Sequence, residues 1–263
     1  MDLDLATVTR TVRELAAEQG RYILARWPTI GTLHYKNRRD MATDADLAVE
    51  RALIRELRER FPEHGFRGEE TGDHLPNADY VWLIDPIDGT KYYVGRSSLF
   101  SVSIALVHHD EPVLGVIYNA AAGQCFHAYR GGGAFLDDQR LTGPDVGRLD
   151  EVIANVDTPE THRLSPAERR WFESRLVELS RRLYRLRALG VGALAACWVA
   201  SGALDAYVDL TGYVKPQDTA AGLVVMREAG LRTEYVDAGI GPPRLVAAPP
   251  ALFAPLREVL LRE

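Results

Sequence analysis

The chain has 263 residues, 46% of them hydrophobic and 26% charged, enough for a substantial core in one large domain or two closely joined halves. Its formal net charge of -6 argues against a nucleic-acid binder that relies on bulk positive charge. No apolar run is long enough to span a bilayer, and Met1-Asp2-Leu3-Asp4 carries no signal-like apolar core, so a cytoplasmic location without membrane attachment is expected. Cys125 and Cys197 lie far apart without metal-ligand spacing and read as reduced core thiols.

Residues 4 to about 27 place Leu5, Val8, Val12, Leu15, Ile23 and Leu24 at helical spacing, which predicts an amphipathic helix, interrupted near Gly20 and stopped at Pro28. A polar stretch follows in which Asp40, Thr43, Asp44 and Asp46 precede a second helix with Leu47, Leu53, Ile54 and Leu57 on its stripe. Thr43 or Asp44 can cap that helix, where the macrodipole favours negative charge. Glu69 and Glu70 then sit between Gly68 and Gly72, in a loop. If that loop is extended, the two side chains point to opposite sides.

Val81 to Ile84 reads as a buried strand that ends in Asp85-Pro86-Ile87-Asp88-Gly89-Thr90. Proline fixes its own φ and extends the residue before it, while glycine permits a turn. Asp85 and Asp88 are thus expected on a turn, three positions apart, where two carboxylates repel unless a cation lies between them. Lys91 to Gly95 leads into strand-like segments at Leu99–Val107 and Pro112–Tyr118. Cys125–Tyr129 and Ala134–Leu136 are two more strands, joined by Arg130-Gly131-Gly132-Gly133, which reads as a hairpin rather than a phosphate loop.

A polar link around residues 142–150 divides the chain into an N-terminal half, 1–145, and a C-terminal half, 146–263, within one compact unit. Val152–Val156 is a strand, and Phe172, Leu176, Leu179 and Leu183 mark a helix. Leu186–Gly190 is a short strand and turn, Gly192–Ala200 a tightly packed helix, and Leu204–Asp209 another strand. Asp218 stands at the start of a helix, Thr219–Ala229, where an N-cap is its plain structural reading. Val236, Leu245–Ala248 and Leu252–Leu261 close the chain as two strands and a helix.

The notable acids are Asp40, Asp46, Glu69, Glu70, Asp85, Asp88 and Asp218, with no histidine or cysteine joining them in a ligand pattern. Oxygen-only donors favour a hard cation, Mg2+ first and Mn2+ second. Mg2+ binds through a few carboxylates plus substrate phosphate, which points to phosphate-ester chemistry by an activated water. The acids run from residue 40 to residue 218, so their site is expected where the two halves meet. Neither a nucleotide-binding lysine loop, nor a dinucleotide fingerprint, nor a nucleophile elbow occurs.

With these marks the chain resembles the inositol monophosphatase-like, magnesium-dependent, lithium-sensitive phosphatases. The resemblance runs from about residue 5 to the end and is carried by Asp85-Pro86-Ile87-Asp88-Gly89-Thr90, by Asp218-Thr219-Ala220-Ala221-Gly222 with Glu228-Ala229-Gly230, by Gly68-Glu69-Glu70 and by the acidic stretch Asp40 to Asp46. It implies an α+β class, the layered αβαβα sugar-phosphatase fold, with a mixed, largely antiparallel first sheet and a second sheet in the C-terminal half. It also implies a homodimer. By similarity, Glu69, Asp85 and the carbonyl of Ile87 hold a first metal, Asp85, Asp88 and Asp218 a second, and Glu70 a weaker third. Thr90 and Glu69 correspond to the pair that activates water, assisted by Asp40 and Thr43, with Asp46 completing their hydrogen-bonded shell. Asp88, Gly89 and Thr90 meet the phosphate; Gly190, Val191 and Gly192 occupy the substrate-hydroxyl loop, and Asp209 matches the sugar-contacting acid.

Three positions depart from the family pattern: Lys91-Tyr92 where Asn is frequent at the second place, Gln217 where Trp is usual, and Gly230-Leu231 in place of a glycine pair. The expectation is therefore a Mg2+-dependent phosphomonoesterase acting on a small polyol or sugar phosphate, foremost inositol monophosphate. The alternatives are histidinol phosphate, fructose 1,6-bisphosphate or adenosine 3′,5′-bisphosphate as substrate, and a non-catalytic binding protein on the same scaffold.

Overall fold

A computed structural model describes residues 3–36, 41–213 and 215–261. In chain order its elements are α1 (Leu5–Arg26), β1 (Leu33–Tyr35), β2 (Met41–Thr43), α2 (Asp44–Arg60), β3 (Gly65–Gly68), β4 (Gly72–His74), β5 (Tyr80–Asp88), α3 (Thr90–Val94), β6 (Ser101–His108), β7 (Glu111–Asn119), β8 (Gln124–Tyr129), β9 (Gly133–Leu136) and β10 (Gln139–Leu141). Then come β11 (Ile153–Asp157), α4 (Pro166–Arg182), β12 (Arg185–Arg187), α5 (Gly192–Ala200), β13 (Ala206–Asp209), α6 (Pro216–Glu228), β14 (Arg232–Val236), β15 (Arg244–Ala248) and α7 (Pro250–Leu261).

Two sheets dominate. The first runs β10-β9-β8-β7-β6-β5-β3-β4, antiparallel except where β3 lies parallel to β5. The second runs β12-β11-β13-β15-β14, parallel among β12, β11 and β13 and antiparallel thereafter. Alternation along the strands sorts side chains into three cores. On β5, Trp82 and Ile84 face α1 and α2, whereas Leu83 faces α5 and α6. On β13, Tyr207 joins the α5/α6 core, whereas Ala206 and Val208 face α4 and α7. The order of layers is α1/α2, first sheet, α5/α6, second sheet, α4/α7, and the class is α+β.

Close packing explains several glycines. Gly20 lies inside an unbroken α1, contrary to the expected interruption, because the ring of Tyr118 presses on it: a Cβ there would come 2.1 Å from Tyr118 Cδ1. Gly115 of β7 lets α6 approach, since a Cβ would stand 2.3 Å from the Ala221 carbonyl oxygen. Gly222 of α6 sits 2.5 Å, by the same measure, from Ala196 of α5. At its C-terminal end α6 is tied to the first sheet: Glu228 accepts the N–H groups of Gly131 and Gly133, each at 2.9 Å.

Other details differ from the sequence reading. The Asp85–Asp88 segment is not a turn; it continues β5 through a bulge, with Asp85 opposite Ser103 and Asp88 opposite Ser101. Pairing with β6 on both sides keeps the chain extended, while Pro86, which lacks a donor, sits at the irregularity. The stretch after Gly89 is a short helix, α3, that precedes β6. α6 begins at Pro216 with Lys215 as its cap residue, which places Asp218 in the third helical position rather than at the cap. Among the described residues no helix is long and apolar enough to cross a membrane.

Candidate active site

The site is built from the end of β5 outward. Asp85 accepts the Ile87 N–H at 3.0 Å, which turns its carboxylate back over the bulge. Asp88 accepts the Ala193 N–H at 3.2 Å, in the first turn of α5, so the positive end of that helix dipole faces it. Gly89 follows with φ +90; a Cβ there would lie 2.4 Å from the Leu99 carbonyl oxygen and 2.9 Å from Val191 Cγ1. No other residue fits, and the tight passage aims Thr90 back at the bulge. The single hydroxyl proton of Thr90 is shared between the Ile87 carbonyl at 3.0 Å and Asp46 Oδ1 at 3.2 Å.

Asp46 is wholly buried at the start of α2. Its Oδ2 accepts the Thr43 N–H at 2.7 Å and the Thr43 hydroxyl at 2.5 Å, and Thr43 Oγ1 caps Ala45 and Asp46, forming a capping box. Thr43 is itself fully buried, so it reaches Thr90 only through Asp46. Burial raises Asp46 above the usual carboxylate range against these donors. Asp40 lies outside the described residues.

Glu69 and Glu70 follow β3, and the Glu69 N–H is held by the Ile84 carbonyl of β5 at 3.2 Å. Lys215 Nζ lies 2.9 Å from Glu69 Oε1 and Lys36 Nζ 3.4 Å from it, while Lys36 stands 2.6 Å from Glu70. Burial pushes Glu69 up, but the two ammonium groups outweigh it and leave Glu69 low; Glu70, with one ammonium and Glu69 beside it, is raised by its burial. This loop rests on a residue that the sequence reading passed over. Glu50, fully buried in α2, accepts the N–H of Glu70 at 2.9 Å and of Thr71 at 2.6 Å. Gly68 makes room for it, since a Cβ would come 2.4 Å from Glu50 Oε1. The signal was present: Glu50 falls on the helical stripe of Leu53 and Leu57.

Asp85, Asp88 and Asp218 share one electrostatic fate. Burial drives Asp85 well above its ordinary range, followed by the charges of Glu69, Asp88 and Asp218. Asp88 is raised the same way, burial first and Asp218 next. Asp218 is pushed up to about 6 by burial and by Glu69. Buried acids raised by burial and by neighbouring carboxylates concentrate negative charge here, which a cation would relieve. Their donors are carboxylate oxygens with the Ile87 carbonyl nearby, a hard set that fits a divalent cation of the oxygen-loving kind. As the side chains stand, no three His, Cys, Asp or Glu among the described residues close round one point, and Glu69 is paired with Lys215.

A cleft of about 570 Å³ opens beside these acids, lined by Asp88, Asp157, Gly190, Gly192, Tyr213 and Asp218 among others. A second hollow of about 550 Å³ reaches Gly89, Thr90 and Lys91, and both hollows share Tyr92, Glu160 and Arg163. Tyr92 Oη donates to the Leu189 carbonyl at 2.5 Å and so braces the loop through Gly190, which has φ +65. Gly192 leaves space between the Asp218 carbonyl and Tyr207. Val191 caps α5 and is buried against Gly89 rather than lining the cleft. Asp209, expected to contact a sugar, does not line it either; its carboxylate is turned onto the N–H groups of Thr211 at 2.6 Å and Gly212 at 3.2 Å.

The chain as a whole and its layered fold have counterparts among known proteins. Residues 4–259 match the sequence model of the Inositol monophosphatase family. The chain belongs to this family. With it the chain takes its reaction class, that of the metal-dependent phosphoric monoester hydrolases. It is 30% identical over 219 residues to fructose-1,6-bisphosphatase/inositol-1-monophosphatase of Thermotoga maritima, covering 82% of this chain and 80% of the relative. It is 37% identical over 217 residues to human inositol monophosphatase 2, covering 79% and 72%. The solved structure of the extragenic suppressor protein suhB of Bartonella henselae superposes with a TM-score of 0.87 at 26% identity, over 97% of this chain and 98% of that one.

Proposed function

We propose that the protein is a Mg2+-dependent phosphomonoesterase that hydrolyses a small polyol or sugar phosphate, foremost inositol monophosphate. The observation that carries this reading is that Glu69, Asp88, Asp218 and Asp46, the last hydrogen-bonded by Thr90, all act on the buried Asp85, with Asp88 and Asp218 lining a cleft. Asp85, Asp88, Asp218, Glu69 and the Ile87 carbonyl are the proposed holders of two ions, with Glu70 near a third. When bound, the ions activate a water and neutralise charge on the phosphate and leaving oxygens.

The chain's own groups do the rest. Thr90 has its proton committed to the Ile87 carbonyl and Asp46, so its oxygen lone pairs can accept a hydrogen bond from the attacking water and orient it. Glu69, kept ionised by Lys215, is the proton acceptor as that water adds to phosphorus. The phosphorus–ester oxygen bond then breaks, and the departing alkoxide takes up a proton to leave as an alcohol beside inorganic phosphate. Asp46, anchored by Thr43, holds Thr90 in position. The N–H groups of Gly89 and Thr90 supply donors to the phosphate. Gly190 and Gly192 leave room for the leaving group, lining the cleft with Asp88.

We further propose a homodimer working in the cytoplasm. Buried, unpaired Cys125 and Cys197 accord with a reducing compartment. Phosphate release from inositol 1-phosphate, fructose 1,6-bisphosphate, histidinol phosphate and adenosine 3′,5′-bisphosphate, with and without Mg2+, tests the reaction. Mg2+-dependent release from at least the first is expected; none from any would overturn the reading. Asp88→Asn keeps the shape of the side chain and removes its charge, so turnover should fall by at least about 10³-fold with the fold retained. Wild-type turnover in that variant would show the site to be elsewhere.

A further inference from the structure

The acid expected to contact the substrate, Asp209, is turned into its own loop, yet the cleft does contain an acid. Asp157 ends β11 just as Asp209 ends β13, and the two are register partners in the parallel pair. Ligands of parallel sheets gather at such carboxyl ends. Asp157 lines the cleft with Asp88, Gly190, Gly192, Tyr213 and Asp218. It is only 9% exposed.

Its surroundings are arranged to hold it. Tyr207, two residues before Asp209 and thus on the same face of β13, donates its hydroxyl to Asp157 Oδ2. Asn155, two residues before Asp157, donates its amide to Oδ1 at 2.9 Å, and its own oxygen accepts the Leu189 N–H at 3.4 Å. Asn155 and Tyr207 are themselves buried, so both donors are fixed in place. Burial raises Asp157 above the ordinary carboxylate range, the hydrogen bonds from Tyr207 and Asn155 hold it down, and no cation is among the groups that act on it. The one guanidinium lining the cleft, Arg163, pairs with Glu160 at 2.9 Å.

An ionised carboxylate offers about four lone-pair sites, and two are taken. A buried carboxylate without a cation is costly unless its remaining sites are met. The free sites adjoin the cleft, next to the place where the reading above puts the leaving group. We propose that Asp157, rather than Asp209, is the residue that selects the substrate, by accepting a hydrogen bond from a donor on the leaving group. The substrate class is a phosphate monoester whose leaving group carries a hydroxyl or an ammonium group near the ester carbon. This inference rests on the phosphomonoesterase reading. Tyr207 and Asn155 position the carboxylate and do not touch substrate.

The test uses the full chain with Mg2+ and three substrates: inositol 1-phosphate, which offers hydroxyls; histidinol phosphate, which offers an ammonium group; and p-nitrophenyl phosphate, whose leaving group has no donor. Losing a hydrogen bond to a charged acceptor weakens binding by roughly 10- to 100-fold. Asp157→Asn should therefore raise KM at least about 10-fold for whichever donor-bearing ester the wild type prefers, with kcat within about threefold. Its kcat/KM for p-nitrophenyl phosphate should stay within about twofold of wild type. The preferred ester tells hydroxyl from ammonium recognition. Tyr207→Phe should give a smaller rise in KM, about threefold, on the same ester alone. It decides the matter if Asp157→Asn does not fold. Equal losses on all three substrates, or no loss on any, would overturn the role of Asp157 while leaving the phosphatase reading intact. So would a wild type that accepts only p-nitrophenyl phosphate. A wild type that hydrolyses none of the three overturns both.

Discussion

Thr43 illustrates how much one buried hydroxyl does. It caps α2 and simultaneously supplies two donors to Asp46, which in turn orients Thr90. Thr43→Ala removes the cap and one of these donors, a change that costs about 1–2 kcal/mol of stability. It also leaves Asp46 freer to turn from Thr90, so turnover should drop by about tenfold, whereas Thr43→Ser should restore most of both. Urea denaturation with steady-state kinetics checks this; a stability loss with unchanged turnover would separate the cap from the chemistry. The residues legible in the sequence were those whose neighbours betray them. Asp85 precedes a proline, Asp88 and Asp218 each stand two positions after one, and Glu69 and Glu70 lie between glycines. Glu50 and Asp157 were not singled out, because their importance comes from what folds onto them: Glu50 meets N–H groups 20 and 21 residues away, and Asp157 a tyrosine 50 residues away.

At the scale of elements, the close approach of α6 to β7 sets the position of Asp218. Replacing a strand glycine by alanine gains up to about 1 kcal/mol by restricting the unfolded chain. At Gly115 overpacking should win, because the new methyl would meet backbone that has no rotamer to escape into, 2.3 Å from the Ala221 carbonyl oxygen. Gly115→Ala should cost about 1–3 kcal/mol. It should lower kcat/KM as α6 is pushed out. Gly147→Ala, where a Cβ meets nothing within 4 Å, is the control and should change neither. Wild-type stability in Gly115→Ala would mean that the sheet and helix yield more readily than their packing suggests. The helices were largely readable from their 3.6-residue stripes. The strands β1, β2, β4 and β10 escaped because three residues are too few to display a period of two. The bulge in β5 was misread as a turn because its proline and aspartates have turn chemistry, and only the pairing with β6 keeps it extended.

At the scale of the whole molecule, pH and metal are linked through the carboxylate cluster. Asp218 titrates at about 6 in the folded chain and near 4 in the unfolded one. Between those values the ion-free fold holds more protons than the unfolded chain, so this group's contribution to stability falls as pH rises through that window. Asp85 and Asp88, raised by burial and by neighbouring carboxylates, act in the same direction. His64 and His127 oppose them: burial holds both below the usual range, so protonating the unfolded chain below about pH 6.5 favours unfolding. Comparing melting temperatures with and without Mg2+ at each pH cancels the histidines, which lie outside the cluster. Because the ligands must be deprotonated, the rise on adding Mg2+ should be larger at pH 7.5 than at pH 5. At 100 times Kd it corresponds to about 2.7 kcal/mol. An equal rise at both pH values would mean that the ion binds away from these acids.

The clasp between Glu228 and the Gly131–Gly133 hairpin bears on where the molecule can be divided. α6 spans about 20 Å, with Asp218 in its first turn and Glu228 as its last residue. It belongs to the C-terminal half by sequence, yet it lies across β5 to β9 of the first sheet. The genetic seam near residue 145 and the mechanical seam therefore do not coincide. Gene fusion, truncation or domain shuffling that respects the polar link would strip the first sheet of the crossbar that covers its inner face. The same cut would part Asp218 from Asp85 and Asp88. The proposed activity would then need the entire set of layers, because one helix is fastened to the hairpin at one end and carries Asp218, a proposed metal holder, at the other.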